Sequence, residues 1–361
     1  MRTISDTIER LARYRNGGVG SSSPINTLSK LEITGRNPGQ LTGWYSVPRG
    51  REQSTALVVV LHGCTQTAAG YDLGSGWSKL ADDYGFAALF PEQSRQNNAN
   101  LCFNWFNVDD VTREHGEALS IREMVTDMVK QHGVDPKRVY VTGLSAGGAM
   151  ANSLLATYPD VFAGGAIIAG LPHGVASTVP EAFDRMRGHG LPLREILQAN
   201  VRKASRHTGP WPTISVWQGT SDNTVVEANA RAIIDQWIGV HAVGAKAVRS
   251  ELVDGQTKET WLDASGREAI EYYRIKGMAH GTPLDTASGY GHSAPYMIDV
   301  GISSTVHIAR SWGLTPSFEK RIVADDVSST RPLPNQRRSA GEGSEIQDVI
   351  EGALRSAGLM K

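Results

Sequence analysis

Residues 143–148 read Gly-Leu-Ser-Ala-Gly-Gly, and the Gly-x-Ser-x-Gly spacing within them is one in which a hydroxyl can become a nucleophile. A serine attacks a carbonyl only when a base takes its proton and a third group holds that base in one tautomer. The motif alone is weak in a chain with 39 glycines. Its context is informative. The β-branched run Arg138-Val-Tyr-Val-Thr142 leads into it and Ala149-Met-Ala-Asn-Ser-Leu-Leu155 follows, so the pattern predicts strand, sharp turn and helix. Small residues around Ser145 let the backbone turn tightly enough to expose Oγ.

A serine on such a turn belongs to an α/β-hydrolase arrangement, in which the acid and the histidine follow in that order. Asp222, in Gly219-Thr-Ser-Asp222, comes just past the apolar run 212–217, where the acid is expected. An Asp there can also stabilise a turn or cap the next helix. His280, in Met278-Ala-His280-Gly, follows the last strong strand pattern and is the candidate base; His292 is the competitor. His173 and His307 fit the order and the loop position less well. The oxyanion needs two preorganised N–H donors. Ala146, directly after the serine, supplies one, and Cys64 in His62-Gly-Cys-Thr-Gln66 supplies the other. Cys64 as a nucleophile lacks an elbow before it. No Cys or His cluster has metal-ligand spacing, so neither a metal nor a cofactor is expected.

The elements that position these residues alternate. Apolar runs at 56–61, 85–90 (closed by Pro91), 139–141, 165–169, 212–217 and 269–275 read as strands, with opening strands at 31–34 and 43–47. Helical patterns cover 117–131, stopped by Gly133, and 225–237. This rhythm predicts an α/β fold: a mostly parallel central sheet covered by helices on both faces, over residues 31–314. Residues 172–210 break it with Pro172, Pro180, Pro192 and six basic residues (Arg185, Arg187, Arg194, Arg202, Lys203 and Arg206), and read as a small cap or a plain surface excursion.

Residues 1–30 read as a short amphipathic helix (Ile4, Ile8, Leu11, Ala12) and a linker. Residues 315–343 read as a second linker, and 344–361 as an amphipathic terminal helix fit for docking on its own domain or in a homodimer. A net charge of −1 argues against a nucleic-acid partner, and no run approaches the ~18 apolar residues of a membrane span. No signal peptide is visible, which points to a cytoplasmic chain.

Four motifs in order, His62-Gly-Cys-Thr-Gln66, Cys102-Phe-Asn-Trp-Phe106, Gly143-Leu-Ser-Ala-Gly-Gly148 and Gly277-Met-Ala-His-Gly281, resemble the polyhydroxybutyrate depolymerase family of esterases over roughly residues 40–313. That group is similar to feruloyl and acetylxylan esterases. The resemblance implies Ser145 as nucleophile, Asp222 as acid, His280 as base, Cys64 and Ala146 as oxyanion donors, and a Cys64–Cys102 disulfide bracing the oxyanion loop. It also implies an ester substrate, small, oligomeric or polymeric. Secreted members carry a signal peptide and a separate polymer-binding domain, and neither is visible here. Tyr71, Trp105 and Trp217 are candidates for the acyl pocket, although buried aromatics more often serve the core. The basic insertion suits an alternative, a polymer amide hydrolase acting on poly(aspartic acid) with the same triad; a further alternative is a non-catalytic, hydrolase-like binding protein.

Overall fold

The computed structural model describes residues 28–48 and 55–315. The expected helix near the N-terminus and the terminal helix at 344–361 lie outside the described residues, as does the 315–343 linker beyond Thr315. The strands of the main sheet are β1 (Ser29–Lys30), β2 (Thr42–Ser46), β3 (Thr55–Leu61), β4 (Ala87–Glu92), β5 (Val134–Leu144), β6 (Gly164–Ile168), β7 (Thr213–Gly219), β8 (Arg249–Val253), β9 (Gln256–Leu262) and β10 (Glu268–Ile275). They lie in the order β1-β2-β4-β3-β5-β6-β7-β10-β9-β8. From β4 to β10 every neighbouring pair is parallel, and both outer flanks are antiparallel. A small parallel pair, β11 (Thr282–Leu284) and β12 (Met297–Asp299), lies apart.

The helices are α1 (Ala68–Ser75), α2 (Trp77–Tyr84), α3 (Val108–Val111), α4 (Gly116–His132), α5 (Ala146–Thr157), α6 (Val179–Met186), α7 (Arg194–Ala204), α8 (Glu227–Ile238) and α9 (Ser304–Ser311). The strand side-chain period of two divides them between two cores. On β3, Leu57, Val59 and Leu61 join Ile121, Met124, Leu154 and Trp237, from α4, α5 and α8. Val58 and Val60 face the other way, onto Trp77, Leu80, Val306 and Trp312. Helix α4 starts with Glu117 in its first turn, ends with Lys130 and His132 in its last, and stops at Gly133 with φ 63°. Lys130 in the last turn complements the helix dipole, and glycine takes the left-handed cap without strain.

The sheet departs from the sequence reading in three places. The segment 31–34 is not a strand. Leu31 N–H still bonds Gly43 O, but the Asp127 carboxylate takes both the N–H and the hydroxyl of Thr34 and leads the chain off the sheet edge. Pro91 lies inside β4 rather than ending it. Pairing with β3 stops at Leu89, so Pro91 faces only β2 and its missing N–H breaks no bond to β3. The hairpin β8–β9 has no counterpart in the strand runs read above, because its residues are mostly polar and only two of them are buried. Order in the chain places the switch point between β3 and β5, the position at which open α/β sheets form a crevice beyond the strand ends.

One buried and one half-buried histidine make stability depend on pH. Burial lowers the pKa of His173, which bonds Ser153 Oγ at 3.0 Å, and of His241, each to about 4. Because the unfolded chain gains these protons near pH 6.5 and the folded chain does not, stability is complete above that pH and falls as pH drops toward 4. At 1.36 kcal/mol per unit, His173 contributes a loss of about 3 kcal/mol. Urea unfolding across pH 7 to 4 should show this slope, and His173→Gln should flatten it.

Candidate active site

Ser145 ends β5 and opens α5 with φ 57° and ψ −117°, a conformation rare for a side-chain-bearing residue. Such strain costs about 1–3 kcal/mol and persists only where the surroundings over-determine it. Here Ser145 N–H is fixed on Ile168 O at 2.9 Å, and Ala149 N–H returns to Ser145 O at 2.8 Å. The flanking glycines are a packing requirement. A Cβ on Gly147 would run into the Leu61 and His62 carbonyls, and one on Gly143 into the Gly147 carbonyl. The close approach sets the start of α5 against the end of β3. As the first residue of α5, Ala146 has an N–H with no acceptor within the helix.

His280 follows β10 on a short loop and lines the same cavity as Ser145. Its Nδ1 lies 2.8 Å from Asp222 Oδ2. Asp222 is fully buried and well satisfied: Oδ1 accepts the N–H groups of Thr224 and Val225, both at 2.9 Å, and Oδ2 accepts Gln218 Nε2 at 3.1 Å. Four donors, counting His280, hold this carboxylate as an acceptor. The acid loop and the base loop are laced together by Ser221 N–H to Met278 O and Gly277 N–H to Thr220 Oγ1. Of the other histidines, His292 is exposed outside the cavity, His173 bonds Ser153, and His307 bonds Asp254.

Cys64 lies on the loop after β3, also on the cavity wall. Its Sγ is bonded to Cys102 Sγ, at 2.10 Å. On either side of it the backbone is engaged, Gly63 N–H with Gln66 Oε1 at 2.9 Å and Thr65 N–H with Asn100 O at 2.6 Å. Cys64 N–H has no hydrogen-bond partner among the described residues.

The cavity holding Ser145, His280, Cys64 and Ala146 measures about 380 Å³. Trp105, Phe106, Leu171 and a face of α6 (Val179, Ala182, Phe183, Met186) make its apolar wall, and Thr65, Gln66 and Asn100 a polar edge. Trp105 lines it. Tyr71 and Trp217 do not. Both belong to the core on the opposite face of the sheet: Tyr71 OH bonds Thr282 Oγ1, and Trp217 stacks on Tyr273 at 3.7 Å with its Nε1 on Ser215 Oγ. Phe183 and Met186 were not among the expected lining residues. Their spacing with Val179 and Ala182, an i, i+3, i+4, i+7 stripe inside the insertion, is the signal that identifies them.

The insertion thus contributes a wall. None of its six basic residues lines the Ser145 cavity. Arg185 donates to the Val175 and His189 carbonyls, Arg194 pairs with Asp235, and Arg202 donates to Gly239 O. Behind α6 lies a larger cavity of about 460 Å³, beside Arg113, His173 and Lys203, which neither Ser145 nor His280 lines.

Comparison with known proteins gives the family. The family described as Esterase PHB depolymerase matches residues 43–260. Poly(3-hydroxyalkanoate) depolymerase C of Paucimonas lemoignei is 42% identical over 299 residues, covering 81% of this chain and 72% of its own length. Feruloyl esterase B of Talaromyces stipitatus is 31% identical over 270 residues, 72% of this chain and 74% of its own. An acetyl xylan esterase from Aspergillus awamori superposes with a TM-score of 0.68 at 22% identity, over 80% of this chain and 100% of that one, and so shares the α/β-hydrolase fold.

Gly147→Ala should push α5 away from β3. Misplacing reacting groups by about 1 Å costs on the order of 10²-fold, so ester turnover per folded molecule should fall by about that factor, with folded fraction followed by circular dichroism.

Proposed function

Since this chain belongs to the esterase PHB depolymerase family and is a carboxylic ester hydrolase, we propose that it cleaves esters through an acyl-enzyme on Ser145. In this reading His280 Nε2 takes the Ser145 Oγ proton as Oγ bonds to the ester carbonyl carbon. The oxyanion that forms is held by the N–H groups of Cys64 and Ala146. His280, now protonated and steadied by Asp222 through Nδ1–H, returns the proton to the departing alkoxide as the C–O bond breaks. Water then attacks the acyl-enzyme, giving its proton to His280, and the acid leaves as Ser145 regains its hydrogen.

The observation that carries the reading is that Ser145 and a carboxylate-bound His280 line one cavity. The substrates proposed are hydroxyalkanoate oligomers and aryl or acyl esters. The apolar wall from Trp105 to Met186 supports an acyl chain, and the polar edge suits a second ester or hydroxyl group. An anionic polyamide would meet no Lys or Arg on that lining.

Ser145→Ala should lower turnover of p-nitrophenyl butyrate, hydroxybutyrate oligomers and methyl ferulate by at least ~10⁴-fold. Asp222→Asn, which upsets the His280 tautomer, should cost about 10³–10⁴-fold in kcat. Wild-type turnover by Ser145→Ala on every ester would exclude the acyl-enzyme. Hydrolysis of poly(aspartate) in preference to the esters would favour the amide hydrolase instead.

A further inference from the structure

Beneath the oxyanion loop is a buried carboxylate that the reaction above does not use. Glu117, in the first turn of α4, is wholly buried. Two amide residues donate to it: Oε1 accepts Gln93 Nε2 at 2.5 Å and Asn104 Nδ2 at 2.7 Å, and Oε2 accepts Asn104 N–H at 2.8 Å. Burial, reinforced by the nearby Asp110 carboxylate, raises its pKa to about 8, against the pull of these donors. In the ionised form Oε1 accepts both side-chain amides, and in the protonated form it does so with the proton on Oε2.

An acceptor at this point sets the direction of every amide beyond it. With its NH₂ turned to Glu117, Asn104 offers Oδ1 to Asn98 Nδ2 at 2.9 Å. Asn98 must then present Oδ1 to the N–H groups of Asn100 and Cys102, at 3.0 and 3.3 Å. Gln93, oriented the same way, also donates to Cys102 O at 3.1 Å and offers Oε1 to Ser94 N–H and Asn97 Nδ2.

Three routes run from this network to the oxyanion loop. Asn100 O accepts Thr65 N–H, holding Thr65 at φ 65°, a strained value for a β-branched residue. Cys102 is joined to Cys64 through the disulfide. The backbone N–H of Gln93 donates to His62 Nε2 at 3.2 Å, which leaves the proton on Nδ1, 2.8 Å from Gly63 O. Residues 62–65 are therefore tied on both sides of Cys64: the Thr65 and disulfide ties meet amides that Glu117 orients, and the His62 tie meets the backbone of Gln93.

We infer that Glu117 is a positioning residue for transition-state stabilisation, its buried carboxyl group fixing, through Gln93, Asn104 and Asn98, the place of the Cys64 N–H. This rests on the reading of Ser145 and Cys64 given above. Glu117→Gln keeps the shape and sets an NH₂ against either Asn104 N–H or the two side-chain amides, so the chain loses its single direction. Removing an oxyanion donor outright costs ~10²–10³-fold, and displacing one should lower kcat by about tenfold or more with KM changed less than about twofold.

The discriminating readout is a trifluoromethyl ketone, whose tetrahedral adduct on serine carries the oxyanion. Its Ki should rise by the same factor as kcat/KM falls, with active sites counted by phosphonate titration. Asn98→Ala, which cuts the chain farther along, should show the same parallel loss and serves if Glu117→Gln does not fold. Wild-type kcat and Ki in the folded variants overturn the inference, as does a loss accounted for by fewer titratable sites. Ser145→Ala is assayed beside them. If it stays active, the acyl-enzyme reading fails and takes this inference with it; if it is inactive while Glu117→Gln matches wild type, this inference alone fails.

Discussion

Much of this molecule follows from one close contact, the start of α5 against the end of β3 at Gly147. The carbonyls of Leu61 and His62 occupy the space that a side chain at 147 would need. With that space shared, Ser145 has to turn within a single residue, and two segments far apart in sequence deliver Cys64 and Ala146 to the same cavity. The parallel sheet extends the effect. Because β3, β5, β7 and β10 run in one direction, the loops after them open on one edge, and Asp222 and His280 come to that edge with no element devoted to bringing them there.

The placement of the candidate site is legible in the sequence because it lies at strand ends, and strand ends can be read. Buried parallel strands are continuous apolar runs, so β3, β5, β6, β7 and β10 declare themselves, and the residues just past each run are the ones that meet. Asp222 and His280 needed only chain order and a position after a strand. The disulfide between Cys64 and Cys102 was implied by resemblance rather than by the residues alone.

What escaped reading has physical causes. Hairpin β8–β9 is an exposed sheet flank, so no burial pattern marks it. Asp254-Gly255 at its tip, with φ of 48° and 78°, is the local signal that does, a two-residue turn suited to the twist of paired strands. Tyr71 and Trp217 have the size and chemistry of pocket residues, and only the direction of β7's side chains decides that Trp217 faces away from the cavity. Asn98, Asn104 and Gln93 are less readable still. Their amides work through relative orientation across loops, and nothing in composition or periodicity encodes which end of an amide points where.

Helix α6 has a consequence of a different kind. It spans only eight residues, belongs to an insertion between β6 and β7, and makes no pairing with the sheet, yet it forms much of the apolar wall. Under the proposed function, bond breaking falls to groups placed at the ends of the sheet strands, whereas the acyl side of the cavity falls to a segment outside the sheet. The two can therefore diverge at different rates. A duplicated copy of this chain can acquire a new clientele by exchanging a few side chains between 179 and 186, while the machinery that opens the ester is inherited untouched.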